Sequence, residues 1–173
     1  YLRFITFDHI FNTPILIVVN KSQSFMEIKW VDTHCHLQLL NKNLDENHFK
    51  NIEFLVIPGV DVESSSKAKE ISSSLEVESY WSAGLHPHDA KLLDTQRHDL
   101  EKLFVEADLI GETGLDFYRN LSTKEEQREN FLFHLEFSKQ LNKPIIIHCR
   151  DSFQDTYDLL VEFNNPSSVI LHS

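Results

Sequence analysis

The sequence predicts an α/β fold of parallel βαβ units, of the (β/α)8 TIM-barrel type, and three observations carry that expectation. From Trp30 onward, short apolar runs alternate with amphipathic stretches, repeating at about 25 to 35 residues per unit. Some runs, such as Ile145-Ile146-Ile147, are continuously aliphatic, as suits strands covered on both faces. Chemically active side chains then fall at or just beyond the C-terminal ends of six such runs, the rim on which a (β/α)8 barrel builds its site. A length of 173 residues fits one domain with a real core.

Strands are expected over 30–37, 53–60, 79–85, 109–115, 144–149 and 169–172, where apolar residues cluster between turn-forming ones. Helices are expected over 62–75, 95–107, 123–141 and 153–163. Ser122-Thr123-Lys124-Glu125 reads as a capping box for the third helix. Phe131, Leu135 and Ser138 give that helix a buried stripe, and Pro144 stops it. Residues 39–49 are polar and ambiguous. No linker or low-complexity segment interrupts the pattern, so 26–173 reads as one domain.

Residues 1–25 hold a single short apolar run, 15–19, too short for a signal-peptide core, and receive no assigned role. Met26 is the only methionine, and the organised pattern begins just after it. The biological start is therefore expected at Met26, with 1–25 as an extension.

The net charge of −11 excludes a protein that coats nucleic acid with a broad basic surface, because such binding rests on Lys and Arg neutralising phosphates. It leaves room for a nucleic-acid enzyme, since a metal cluster can supply positive charge locally. No apolar run approaches the roughly 18 residues of a membrane helix, so no membrane association is expected. The two cysteines, Cys35 and Cys149, each sit beside a histidine in an expected strand and read as reduced thiols filling small apolar spaces. That usage places the chain in the cytoplasm, or the nucleus of a eukaryote. No obligate protein partner is expected.

The chemistry begins at Trp30-Val31-Asp32-Thr33-His34-Cys35-His36-Leu37. If extended, its period of two turns Asp32, His34 and His36 to one face, aiming two imidazoles at one point. Neutral imidazole is a good ligand for a divalent metal, although an isolated pair can equally be chance. In Ile110-Gly111-Glu112-Thr113-Gly114-Leu115-Asp116, glycines on both sides of a carboxylate let backbone or ligand approach closely. Glu112 can then reach a metal and, with two oxygens, bridge two; the plain alternative is a solvated turn. In Ile145-Ile146-Ile147-His148-Cys149-Arg150-Asp151 the strand buries an imidazole, which costs free energy unless His148 is paired or bound. Arg150 offers a planar fork for a phosphate oxygen, or a salt bridge to Asp151 or Asp116. Val169-Ile170-Leu171-His172 repeats the aliphatic-then-His pattern. His86 and His88, in Gly84-Leu85-His86-Pro87-His88-Asp89, suit rim residues touching substrate, or a structural turn. His9, His48, His98 and His134 read as structural.

The ordered motifs DTHCHL, SAGLHPHD, IGETGLDFY, EEQRENFLFHLEFSKQLNKPIIIHCRD and VILHS, spread over 27–173, resemble the TatD family of metal-dependent hydrolases, a branch of the amidohydrolase-like barrels. The resemblance implies a TIM barrel, two divalent cations (Zn, Mn or Mg) and hydrolysis of phosphodiester bonds, with DNA as a transient substrate. Matched residue by residue, it implies that His34 and His36 hold one cation, Glu112 bridges, and His148 and His172 hold the other. It places His86, Asp116 and Arg150 at the substrate mouth, with Glu112 and Arg150 as the catalytic pair. Some members act on other bonds, so an esterase or amidohydrolase acting on aminoacyl-tRNA is the alternative, and an inactive fragment a third. A complete member continues past the sixth strand to a Glu-Thr-Asp type motif whose Asp ligates metal, and nothing here corresponds to it. The chain is therefore expected to be a fragment with about six of eight βα units, leaving two sheet edges and adjacent apolar faces open.

Overall fold

The computed structural model describes residues 28–40, 45–163 and 168–172. The extension expected over 1–25, its boundary at Met26, and Ser173 lie outside them. Six strands form one sheet whose spatial order follows the sequence: β1 (Trp30–Asp32), β2 (Ile52–Pro58), β3 (Glu78–Ala83), β4 (Leu109–Asp116), β5 (Ile145–Arg150) and β6 (Val169–His172). Every neighbouring pair is parallel. Right-handed crossovers without a reversal of strand order place the connecting helices on one face and curl the sheet into an open barrel. Those helices are α1 (Val62–Ser74), α2 (Leu93–Glu106), α3 (Lys124–Leu141) and α4 (Phe153–Glu162).

Period-two alternation divides the strand residues between two apolar clusters. Leu55, Ile57, Ala83, Ile145 and Ile147 pack with Leu100 and Phe104 of α2, Phe131 and Leu135 of α3, and Leu159 of α4. Val56, Leu109 and Ile146 form the smaller cluster, with Phe54 and Ile170 against it. Among the described residues the sheet has the two open edges that six units imply. β1 and β6 are the outer strands of the sheet, and Leu171 with Phe153, Tyr157 and Val161 of α4 is exposed. Among the described residues no helix is long and apolar enough to cross a membrane.

Two local expectations are corrected and one open stretch is resolved. The first strand was expected over 30–37 but ends at Asp32, because the chain beyond it turns into the rim and reaches a 3-10 turn at Leu37–Leu39. The ambiguous stretch resolves in part as a second 3-10 turn, Glu46–Phe49, capped by Asp45. The capping box of α3 lies one residue later than expected: Thr123 is the N-cap and its partner is Glu126. Ser122 is taken by another contact, with its hydroxyl donating to His88 O at 2.9 Å. The helix ends at Asn142 in the left-handed conformation, one residue before Lys143, whose ammonium caps the α2 carbonyls of Phe104 and Val105 at 2.9 and 2.7 Å.

Two glycines of β4 are dictated by the backbone. Gly111 has φ 109° and Gly114 φ 130°, where an L side chain is strained. A Cβ on either would overlap the β5 carbonyl of Ile146 or His148. Gly114→Ala is expected to lower stability by about 3 kcal/mol, from strain and overpacking together, as measured by chemical denaturation. A loss under about 0.5 kcal/mol, typical of an ordinary surface site, would contradict this account of β4.

Candidate metal centre

Although β1 ends at Asp32, the following residues stay fixed to β2. The Cys35 N–H donates to Val56 O at 3.0 Å and its thiol to the same carbonyl at 3.1 Å, while Asp32 Oδ1 accepts the His34 N–H at 3.0 Å. Anchoring Cys35 on one side leaves its neighbours to the other, so His34 and His36 bring their Nε2 atoms within 3.1 Å of each other. Burial pushes the Cys35 thiol up, and both cysteines are free, which agrees with their reading as fillers. The His36 Nδ1–H donates to Pro58 O at 3.0 Å, so its Nε2 keeps a lone pair. His34 is 5% exposed, and its Nδ1 has no hydrogen-bond partner among the described residues.

Glu112 was expected at a strand end; it lies within β4, turned inward by an irregularity. Ile110 pairs with Ile145 and Thr113 with Ile147, so β4 spends one residue more than β5 over this step, as in a bulge. Its N–H is held by Gly59 O at 2.8 Å, beyond the end of β2. Oε2 then lies 3.2 Å from His34 Nε2 and 3.4 Å from His36 Nε2. Oε1 lies 3.2 Å from His148 Nδ1 and 3.7 Å from His86 Nε2. Burial opposes ionisation of Glu112, but the surrounding imidazoles of His148, His34 and His36 outweigh it and hold the carboxyl well below the usual carboxylate range.

These atoms make two overlapping sets of potential ligands, His34/His36/Glu112 and His86/Glu112/His148, each with its donor atoms within 4.8 Å of one another. Ligand bonds of about 2.0–2.2 Å put donors on one ion roughly 3.0–3.5 Å apart, and the first set has edges of 3.1, 3.2 and 3.4 Å. Two imidazole nitrogens and a carboxylate oxygen therefore fit one divalent cation. Glu112 is common to both sets.

The remaining rim residues are placed as follows. His148 lies between two carboxylates, with Nε2 3.1 Å from Asp116 Oδ2; burial lowers its pKa, but Glu112 and Asp116 outweigh that and raise it. Asp116, expected at the substrate mouth, is fully buried beside the donor sets. Its Oδ1 accepts the N–H groups of Tyr118 and Arg119 at 3.0 and 2.9 Å, and its Oδ2 also faces His88 Nε2 at 2.7 Å. Burial resists ionisation, yet the Arg119 N–H, His88 and His148 hold Asp116 down at about 2. His88 thus reaches the site through Asp116.

His86 Nδ1 accepts the His88 N–H at 3.2 Å, so the neutral ring carries its proton on Nε2 and points a donor at the site. Burial pushes this imidazole down to about 3. His172 stacks on His34, with ring centroids 3.7 Å apart, and its centroid is 6.0 Å from that of His148. Burial and then His34 push it down to about 4. The Arg150 guanidinium lies 4.0 Å from the Tyr118 ring centroid; among the described residues it forms an ion pair with neither Asp151 nor Asp116. Tyr118, 60% exposed, was missed in the sequence, where only an aromatic two residues after Asp116 signals it.

The sequence matches the family described as TatD related DNase over residues 31–173. A metal-dependent hydrolase of Buchnera aphidicola is 33% identical over 159 residues, covering 83% of this chain and 58% of that protein. The 3'-5' ssDNA/RNA exonuclease TatD of Escherichia coli is 36% identical over 110 residues, 61% of this chain and 42% of its own length. Among solved structures, a TatD homologue of Escherichia coli superposes with a TM-score of 0.76 at 21% identity, over 86% of this chain and 61% of that one. A TatD-family hydrolase of Entamoeba histolytica gives 0.64 at 19%, over 79% and 55%. The chain spans about three-fifths or less of the length of these relatives. With a family match across most of its length, a barrel of the same architecture and a histidine–carboxylate centre at the rim, the chain belongs to the family of TatD-related DNases.

Proposed function

We propose that the site serves metal-dependent hydrolysis of phosphodiester bonds in single-stranded nucleic acid, with DNA as a transient substrate. The observation that carries this reading is the convergence of His34 Nε2, His36 Nε2 and Glu112 Oε2 within 3.1–3.4 Å. His34, His36 and Oε2 of Glu112 would hold one cation; Oε1, His148 and His172 would hold the second. Divalent cations held there would supply polarisation of a phosphoryl group and a lowered pKa of water toward neutrality. Imidazoles with a carboxylate suit Zn²⁺ or Mn²⁺, whereas Mg²⁺ favours more oxygen ligands.

The chain's own residues do the rest. Glu112 stays ionised and sets the spacing of the two donor sets. Asp116 accepts from His148 Nε2–H, which leaves Nδ1 as the nitrogen that would give up its proton to take a cation. His86 directs Nε2–H at the place where a phosphate oxygen would gain charge, and its depressed pKa keeps it a neutral donor. Arg150, laid on Tyr118, presents its fork to a phosphate, and Tyr118 offers a face on which a base can stack.

Labelled single-stranded DNA tests the reading. Cleavage is expected with Mn²⁺, abolished by chelator and by Glu112→Gln. Chelator-insensitive cleavage would exclude the metal mechanism, and inactivity on DNA with activity on an aminoacyl ester would move the assignment to the alternative bond. The raised pKa of His148 fixes a pH dependence. Proton and cation compete for its ring, so Mn²⁺ affinity should be fully developed above that pKa and fall by about tenfold per pH unit below it. Calorimetric titration between pH 5.5 and 8.5 reads this directly, and an affinity flat across that window would contradict the role given to His148.

A further inference from the structure

The pairing of β3 with β4 covers only Ser82 with Leu109 and Ala83 with Ile110, although β4 continues to Asp116. Beyond that point, backbone groups on the side of β4 that faces β3 have lost their strand partner. Side chains of α3 replace it. Gln127 Oε1 accepts the Asp116 N–H at 2.8 Å and Gln127 Nε2 donates to Asp116 O at 3.1 Å. One amide thus reproduces both hydrogen bonds of a missing strand. Asn130 Nδ2 donates to Leu85 O at 2.7 Å, and His134 Nε2 accepts the Leu85 N–H at 3.0 Å.

The three residues recur at i, i+3 and i+7, one face of the helix, and all are fully buried. Aliphatic side chains here would fill the same space but leave the buried backbone groups of Asp116 and Leu85 unpaired, and Asn130 Oδ1 has no partner among the described residues. The stripe is therefore not explained by packing alone. His134 can act in only one tautomer: its Nδ1–H donates to Asn130 O at 2.7 Å, which leaves Nε2 as acceptor. Burial keeps the ring neutral.

We infer that Gln127, Asn130 and His134 are positioning residues for the site: Gln127 fixes Asp116 and through it His148, while Asn130 and His134 fix Leu85 and with it His86. The two arms are separable. The first governs the donor set that would take a cation, the second the donor aimed at the substrate. This rests on the proposed metal chemistry for its consequence, though not for its geometry.

The test is the imidazole ¹H–¹⁵N spectrum of the metal-free chain, followed by Mn²⁺ titration of the same samples. Gln127→Met is expected to shift the His148 and His88 ring nitrogens, leave His86 in place, and weaken Mn²⁺ binding at least tenfold. His134→Leu is expected to shift His86, leave His148 in place, and weaken Mn²⁺ binding less than Gln127→Met does. Should His134→Leu fail to fold, Asn130→Leu carries the second arm, and His134→Gln, which retains an acceptor for Leu85, is expected to leave His86 where it was. Spectra in which either substitution moves all the rings alike, or none, would overturn the inference. Because the spectra need no metal, absence of Mn²⁺ binding by the unsubstituted chain would count against the proposed function alone.

Discussion

A carboxylate that must stay charged while buried sets the terms for this barrel. Glu112 is 2% exposed and sits among His34, His36, His86 and His148, so its anion is stabilised only if those rings arrive from three other segments at nearly the right distances. Several backbone features serve that arrival. The irregularity before Thr113 turns Glu112 inward, Gly111 and Gly114 let β5 close against β4, and Gly59 O takes the Glu112 N–H. Cys35, anchored twice to Val56, delivers the first two imidazoles.

The same environment divides chemically identical side chains into different roles. His148, between Glu112 and Asp116, is raised, whereas His86 and His172 are lowered. Burial disfavours the charged form of all three, and only His148 has two carboxylates within hydrogen-bonding distance to offset it. In the proposed function such divergence would let one ring exchange a proton for a cation and another remain a neutral donor. Under the proposed function, a chain of net charge −11 would attract an anionic substrate only locally, through cations held at the rim.

Much of this was legible in the sequence because strand ends and residue types sufficed. The apolar runs located all six strands, and His34, His36, Glu112 and His148 stood in motifs whose order implied a shared rim. What could not be read was sidedness set by tertiary contacts. Asp116 carries a charge at a strand end and so reads as a substrate contact; only the fold shows its oxygens occupied by His88, His148 and two backbone N–H groups. Asp32 and His34 alternate as in a strand, but the strand ends where the rim begins. His134 read as a structural histidine, and it is one by its contacts, yet its hydrogen bond to Leu85 spans a sequence separation that no local pattern encodes. The shift of the α3 cap from Ser122 to Thr123 likewise follows from the bond between Ser122 and the loop of His88.

The most direct test of the shared-carboxylate centre is anomalous diffraction from crystals of this chain equilibrated with Mn²⁺. The account predicts an anomalous peak bounded by His34 Nε2, His36 Nε2 and Glu112 Oε2, with any second peak on the Oε1 side toward His148. A well-diffracting crystal with no peak at Glu112, or with Mn²⁺ bound only elsewhere, would contradict it.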